Sequence, residues 1–190
     1  MTSLGILLAL FAELEYIHSV IQGTSKPNFS AWGIFTISML LVLASSYSLG
    51  ARNSLWIIAM FTLLHFITAI IAFRFKIFSL TTFEKVLLLL VGLSVLLWIF
   101  TDNAWTALLI NILVDILGYI AIINKLYLYP NTEDTFAWTI SLLAYIVNLF
   151  TVTTWIPQEY LFTISNIFWI SIIVVLSLRK MTTIRTKKHL

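Results

Sequence analysis

The 190-residue chain contains no cysteine, which excludes disulfides, thiolate metal sites and cysteine nucleophiles at once. Charge is nearly as scarce. Asp, Glu, Lys and Arg make up 10% of the residues, against about 25% in an ordinary soluble domain. Histidine is limited to His18, His65 and His189, with no His-x-x-x-His pair and no Gly-x-Ser-x-Gly, so the usual marks of a metal-dependent or hydrolytic enzyme are missing. No enzyme and no cofactor are expected. The last apolar run has no mid-span lysine for a retinal Schiff base, Lys180 lying at its end. Only three prolines occur, Pro27, Pro130 and Pro157, and none lies inside an apolar run.

What fills the chain instead is apolar. Hydrophobic residues reach 61% and the mean hydropathy is +1.02, a composition that only lipid tolerates as solvent. The opening Met1-Thr2-Ser3 has no basic residue and no small-residue cleavage site follows, so the first run reads as a retained helix. A helix rises about 1.5 Å per residue and a hydrocarbon core is about 30 Å thick, so one span takes about 20 residues. Seven stretches answer: Leu4–Gln22, Ala31–Leu49, Ser54–Phe73, Val86–Phe100, Ala104–Asn124, Phe136–Thr153 and Gln158–Leu178. The fold class expected is all-α and integral to a membrane, as one domain over residues 1–190.

Charge orients the bundle. With the N-terminus outside, Lys26, Arg74, Lys76, Lys85, Lys125, Arg179, Lys180, Arg185, Lys187 and Lys188 all fall on the cytoplasmic side. That is ten of the eleven basic residues, leaving Arg52 alone outside. The basic tail, 179–190, then serves as a topology signal and anionic-lipid contact, with no nucleic-acid partner expected.

The sequence also repeats. Tyr16-Ile17 precedes Pro27-Asn28 by the same interval that separates Tyr119-Ile120 from Pro130-Asn131. Both prolines precede an Ala-Trp pair, Ala31-Trp32 and Ala137-Trp138, and runs three and seven both end in arginine, Arg74 and Arg179. The offsets are 103 at the proline, 106 at the tryptophan and 105 at the arginine. Three helices form an odd unit, so two parallel copies need one helix between them. The expectation is a first three-helix repeat over 4–73, a linker helix over 86–100 and a second repeat over 104–178. The linker carries no ionisable or amide side chain and is expected outside the central cavity.

This 3+1+3 plan, with its proline-marked loops, resembles the SWEET sugar transporters and the wider PQ-loop group, which also includes vitamin transporters of the PnuC type and the KDEL receptor. The stretches 23–28 with Trp32, and Tyr129-Pro130-Asn131-Thr132-Glu133, are similar to loops of small bacterial PQ-loop-like proteins. The chain departs from that group in lacking a proline inside the first helix of either repeat. The resemblance implies a transporter or facilitator of a small polar solute, sugar- or vitamin-like, working by alternating access in a bacterial inner membrane. The alternative is a non-transporting receptor or assembly subunit on the same fold. Lipid and the solute are the partners implied, and a homo-oligomer is left open.

The candidate site comes from polar groups within spans. An acidic residue at a helix centre costs roughly 2.5–3.5 kcal/mol on insertion scales, so Glu13, Glu15 and Asp115 should avoid lipid. Helical rise sets Glu13, Glu15, His65, Asp115 and Asn166 about 12–17 Å from the outer end of their spans, and Asn148 about 18 Å from the inner end. Spacing at three, four and seven gathers Glu15, His18 and Gln22 on one face, and Thr62 with His65 on another. Asn111, Asp115 and Gly118 share a third face, Ser141, Tyr145 and Asn148 a fourth, and Phe162, Asn166 and Trp169 a fifth. The expected substrate pathway is Glu15, Thr62, His65, Asn111, Asp115, Asn148, Asn166 and Trp169. By the resemblance, Asn166 and Trp169 contact substrate opposite His65 and Thr62, and Glu15 and Asp115 are candidates to carry a coupled proton. Asn111 and Asn148 have an equal alternative as hydrogen-bonding glue between helices. Glu13 is assigned to packing or a lipid boundary, and Trp32, Trp105, Trp138 and Trp155 to interfacial anchoring.

Overall fold

The computed structural model describes residues 2–25, 29–73, 81–128 and 132–187, the side chains of 29–30 and 180–187 excepted. Within them the chain forms seven helices: α1 (Thr2–Ile21), α2 (Phe29–Ser48), α3 (Leu55–Phe73), α4 (Thr82–Thr101), α5 (Ala104–Leu128), α6 (Thr135–Leu149) and α7 (Pro157–Lys187). Six are long and apolar enough to cross a membrane, while α6, at 15 residues, is shorter. Their outward faces carry large apolar side chains, among them Leu7, Leu89, Ile99, Phe168 and Val175, in the manner of lipid-facing helices.

Local chemistry sets the ends. Two helices close on glycine in the left-handed region, Gly23 (φ 75°) and Gly50 (φ 94°), which a side chain would strain. After α1, Gly23 N–H donates to the Val20 carbonyl and Thr24 N–H to that of Ser19. After α2, Gly50 N–H reaches Tyr47 and Ala51 N–H reaches Ser46, the same paired closure. Helix α4 opens on a capping box in which Thr81 and Glu84 exchange side-chain and backbone hydrogen bonds. Asp134 caps α6 through the N–H groups of Phe136 and Ala137, and Pro157 starts α7 where a missing N–H costs nothing.

Four boundaries differ from expectation by four residues or more, the fifth run reaching Leu128 instead of Asn124. The run expected from Val86 begins at Thr82, because the capping box draws the charged Glu84 and Lys85 into the first turn. The sixth run, expected to reach Thr153, stops at Leu149, where Phe150 and Thr151 N–H groups turn back onto Val147 and Asn148. The seventh continues as helix into the basic segment, as far as Lys187. Pro27, Pro130, Lys26, Arg74, Lys76 and Lys188 lie outside the described residues.

Helix α1 packs on α3 and α6, α2 on α3, α5 and α4, and α7 on α5 and α6. Helix α4 lies outside, against α5 and α2. The packing face of α1 is small, with Gly5, Ala9 and Ala12 buried, and a Cβ at Gly5 would fall in ordinary contact with Val147 and the Ala144 carbonyl of α6. The core between the helices gathers Ile57, Ile58, Phe61, Leu108, Tyr145, Phe162 and Ile170. Lys85, Lys125 and Arg179 lie toward one end of the bundle, the Lys125 end, and Arg52 at the other.

Candidate functional site

A cavity of about 320 Å³ lies toward the Lys125 end between α1, α2, α4 and α5. Tyr16, Trp32, Phe35 and Phe83 give it aromatic walls, and Glu84, Lys125 and Glu133 give it charge. Glu133, in the short segment before α6, is buried yet fully engaged. It accepts from Lys125 Nζ at 2.7 Å, Trp138 Nε1 at 3.1 Å and the Tyr16 hydroxyl at 3.4 Å. The first turns of α4 line this cavity through Phe83, Glu84 and Leu87. Of the expected linker run, 86–100, Leu87 alone is among the described residues lining this cavity, and Phe83 and Glu84 come from the turn that precedes the run.

Two smaller voids of about 30 Å³ each neighbour it and share lining residues with it. Trp32 borders all three spaces, Phe35 and Ile122 link the large one to the second void, and His65, Tyr119 and Trp138 border both small ones. Gly118 makes room for this junction. The Phe35 ring lies over its Cα so closely that any Cβ there would drive the ring away. Trp32 stacks between Tyr16, with centroids 5.0 Å apart, and His65, at 4.7 Å. Trp32 and Trp138 are thus internal groups, not interfacial anchors, since both point from span ends into the bundle. Trp155 is exposed at the Arg52 end.

The carboxylates facing these voids are Glu13 and Asp115. Glu13 is 4% exposed and takes a 2.5 Å hydrogen bond from the Thr68 hydroxyl of α3. Asp115 is 6% exposed, and its Oδ1 receives no hydrogen bond from the described residues. His65 Nδ1 lies 2.7 Å from the Phe61 carbonyl, which can only accept, so Nδ1 carries the proton and Nε2 is left as an acceptor. Tyr119 donates its hydroxyl to Asn166 Oδ1 at 2.5 Å, and Asn166 donates onward to the Phe162 carbonyl.

The candidate residues therefore separate. Asp115 and His65 meet at one void, and Asn166 reaches it through Tyr119. Glu15 does not line the spaces: it is half-buried and off the stripe of Gly5, Ala9, Ala12, Glu13 and Tyr16 that packs inward. Its face-mates His18 and Gln22 are exposed and bond each other at 2.7 Å. Thr62 is buried and spends its hydroxyl on the Ile58 carbonyl. Asn111, completely buried, donates to Ser94 Oγ of α4 and to the Ala107 carbonyl, so it ties the linker helix to α5. Asn148 donates to Thr163 of α7 and lines a small crevice near Gly5 at the Arg52 end. Trp169 is half-buried against Phe168. Glu13, assigned to packing, is buried against Thr68 and also borders a void, while Glu133 and Tyr119 were not among the expected pathway residues. The α1 stripe of small residues pointed to Glu13, whereas Glu133 lies outside every apolar run.

The Arg52 end is closed by another carboxylate. Glu159, in the first turn of α7, is 2% exposed. Its Oε1 accepts from the N–H groups of Arg52 (2.7 Å) and Asn53 (3.1 Å), and its Oε2 from Ser54 N–H (2.9 Å) and Ser54 Oγ (2.7 Å). These donors sit on the three residues leading into α3, with Ser54 at its cap position, so Glu159 pins the start of α3 from a different helix. Gln158 to the Leu49 carbonyl and Asn53 to Thr153 fasten the same end.

Comparison of the chain with protein-family models, with curated proteins and with solved structures yields no match.

Proposed function

We propose that this chain is a membrane carrier for a small polar solute, built as two parallel three-helix repeats and working by alternating access. The observation that carries the reading is the set of neighbouring cavities between the Lys125 end and the buried carboxylates at mid-depth, set against the hydrogen-bonded latch at the Arg52 end. Cavities on one side of a buried polar centre and a latch on the other are what a carrier that exposes its centre to each side in turn requires. By the basic-residue bias, the Lys125 end is the cytoplasmic one.

Helix packing supports the repeat. Exchanging α1 with α5, α2 with α6 and α3 with α7 maps the main contacts onto themselves: α1–α3 becomes α5–α7, α2–α3 becomes α6–α7, and α1–α6 becomes α5–α2. Helix α4 stands outside this exchange, as a linker should. Trp32 and Trp138, the paired landmarks of the sequence, both border the small voids.

In proteoliposomes, a counterflow screen of radiolabelled sugars, amines and nucleosides should find at least one transported solute. Asp115→Asn and Asn166→Ala should each abolish its uptake while inserting and purifying like the parent. Uptake by both variants at the parental rate would reduce these groups to structural glue and overturn the reading.

A further inference from the structure

The void beside Asp115 has a chemical bias. Its polar groups accept far more than they donate. Asp115 Oδ1 is unpartnered among the described residues in a place where an unmade hydrogen bond costs about 1–3 kcal/mol. His65 presents Nε2 as an acceptor, and the Tyr119 hydroxyl and Trp138 indole N–H are already committed to Asn166 and Glu133. Of the donors bordering the void, only the Trp32 indole N–H has no hydrogen bond among the described residues. The other surfaces are the rings of Trp32, Phe35, Tyr119 and Trp138, whose faces attract positive charge. The neighbouring void adds Glu13, a second carboxylate, and no Lys or Arg among the described residues borders either void.

From this arrangement we infer that the site takes a small organic cation, its ammonium head seated in the void between Asp115 and the surrounding aromatic rings. The assignment rests on the carrier reading and names the substrate class for it. A void of about 30 Å³ holds a group the size of a water or two, which fits an ammonium but not a sugar ring. The body of the solute extends past Trp32 and Phe35 into the cavity of about 320 Å³, the size small-molecule sites usually have. A sugar would need donors for its hydroxyl oxygens that the void largely lacks, and an anion would meet two buried carboxylates.

The test is thermal unfolding of the purified full-length chain in detergent, with phenethylammonium chloride, sodium chloride and glucose as probes. Phenethylammonium should raise the midpoint saturably, where equal sodium chloride and glucose do not. Asp115→Asn should weaken the apparent affinity about tenfold or more, as the loss of a charge-assisted bond to a buried head predicts. Trp138→Leu provides an independent variant should Asp115→Asn fold poorly, and it should weaken the response as well. Glu15→Gln, off the site, should respond like the parent. Stabilisation by sodium chloride equal to that by the amine, or by glucose where the amine has no effect, would overturn the organic-cation assignment. So would an unchanged response in both site variants. Uptake of labelled phenethylammonium separates the two readings. Binding without uptake keeps the cation site and defeats the carrier, whereas uptake of glucose without any amine response keeps the carrier and defeats the cation site.

Discussion

Replacing Glu159 by alanine should loosen the Arg52 end of the bundle, and the size of the effect follows from its four acceptor contacts. Ser54 is fully buried, so its N–H and hydroxyl would lose a carboxylate with no water to replace it. Hydrogen bonds to a charged group are worth about 1.5–3 kcal/mol each. The N–H groups of Arg52 and Asn53 lie closer to solvent and regain water, so they add little. The total is about 3–6 kcal/mol for Glu159→Ala. Glu159→Gln keeps one carbonyl oxygen and loses about half, since its amide nitrogen cannot accept from the pair it faces. At about 2–4 °C per kcal/mol for a chain of this size, the alanine variant should unfold about 6–24 °C lower, measured in detergent at matched scan rate. Because the chain has no cysteine, Ala51→Cys gives a single reporter at a fully buried position of this end. Its labelling by a water-soluble maleimide should rise several-fold when Glu159→Ala is added. A midpoint shift below about 2 °C together with unchanged labelling would refute the cross-helix cap as a closure.

Two further substitutions probe the opposite half. Gly118→Ala should cost about 1–3 kcal/mol by forcing the Phe35 ring aside, and Phe35→Leu should restore much of it, a coupling readable from a double-mutant cycle of unfolding midpoints. Glu133→Gln should cost about 1–2 kcal/mol by the same assay, since the Lys125 ammonium is part-exposed and keeps some hydration, and Lys125→Met should recover part of that loss.

Helix number and most helix ends were legible in the sequence because apolar length and glycine or proline punctuation are local properties. The start of α4 was misplaced by following hydropathy alone, although Thr81-x-x-Glu84 is itself a capping signal that local sequence contains. The site was legible only in part. Asp115, His65 and Asn166 stand on faces that spacing identifies, and the structure brings the first two to one void and the third to its Tyr119 wall. Glu15 was preferred to Glu13 because it aligns with His18 and Gln22, yet those residues mark the exposed face. The stripe that decides the matter is Gly5, Ala9 and Ala12, where small side chains admit α6. Trp32 and Trp138 look like interfacial anchors by position along the chain, and only the packing of α1, α2 and α6 turns them inward. Glu159 owes its role to partners far away in sequence, which no spacing rule reaches, and Glu133 joins its near neighbours Lys125 and Trp138 to the distant Tyr16.

Helix α6 ends after 15 residues, so its axis is about 22 Å long, about 8 Å less than a typical hydrocarbon core. Its seven-residue continuation to α7, 150–156, is non-helical, and in a bilayer its peptide groups would lie where lipid offers them no hydrogen bonds. Part of that need is met internally, as Thr151 N–H reaches the Asn148 carbonyl and Val152, itself buried, reaches that of Leu149. The remainder calls for water drawn down beside α6 or for a leaflet that dimples to meet it. The protein would then carry its own thin spot in the membrane, on the flank where α6 meets α1 and α7 and beside the carboxylate latch that closes that end.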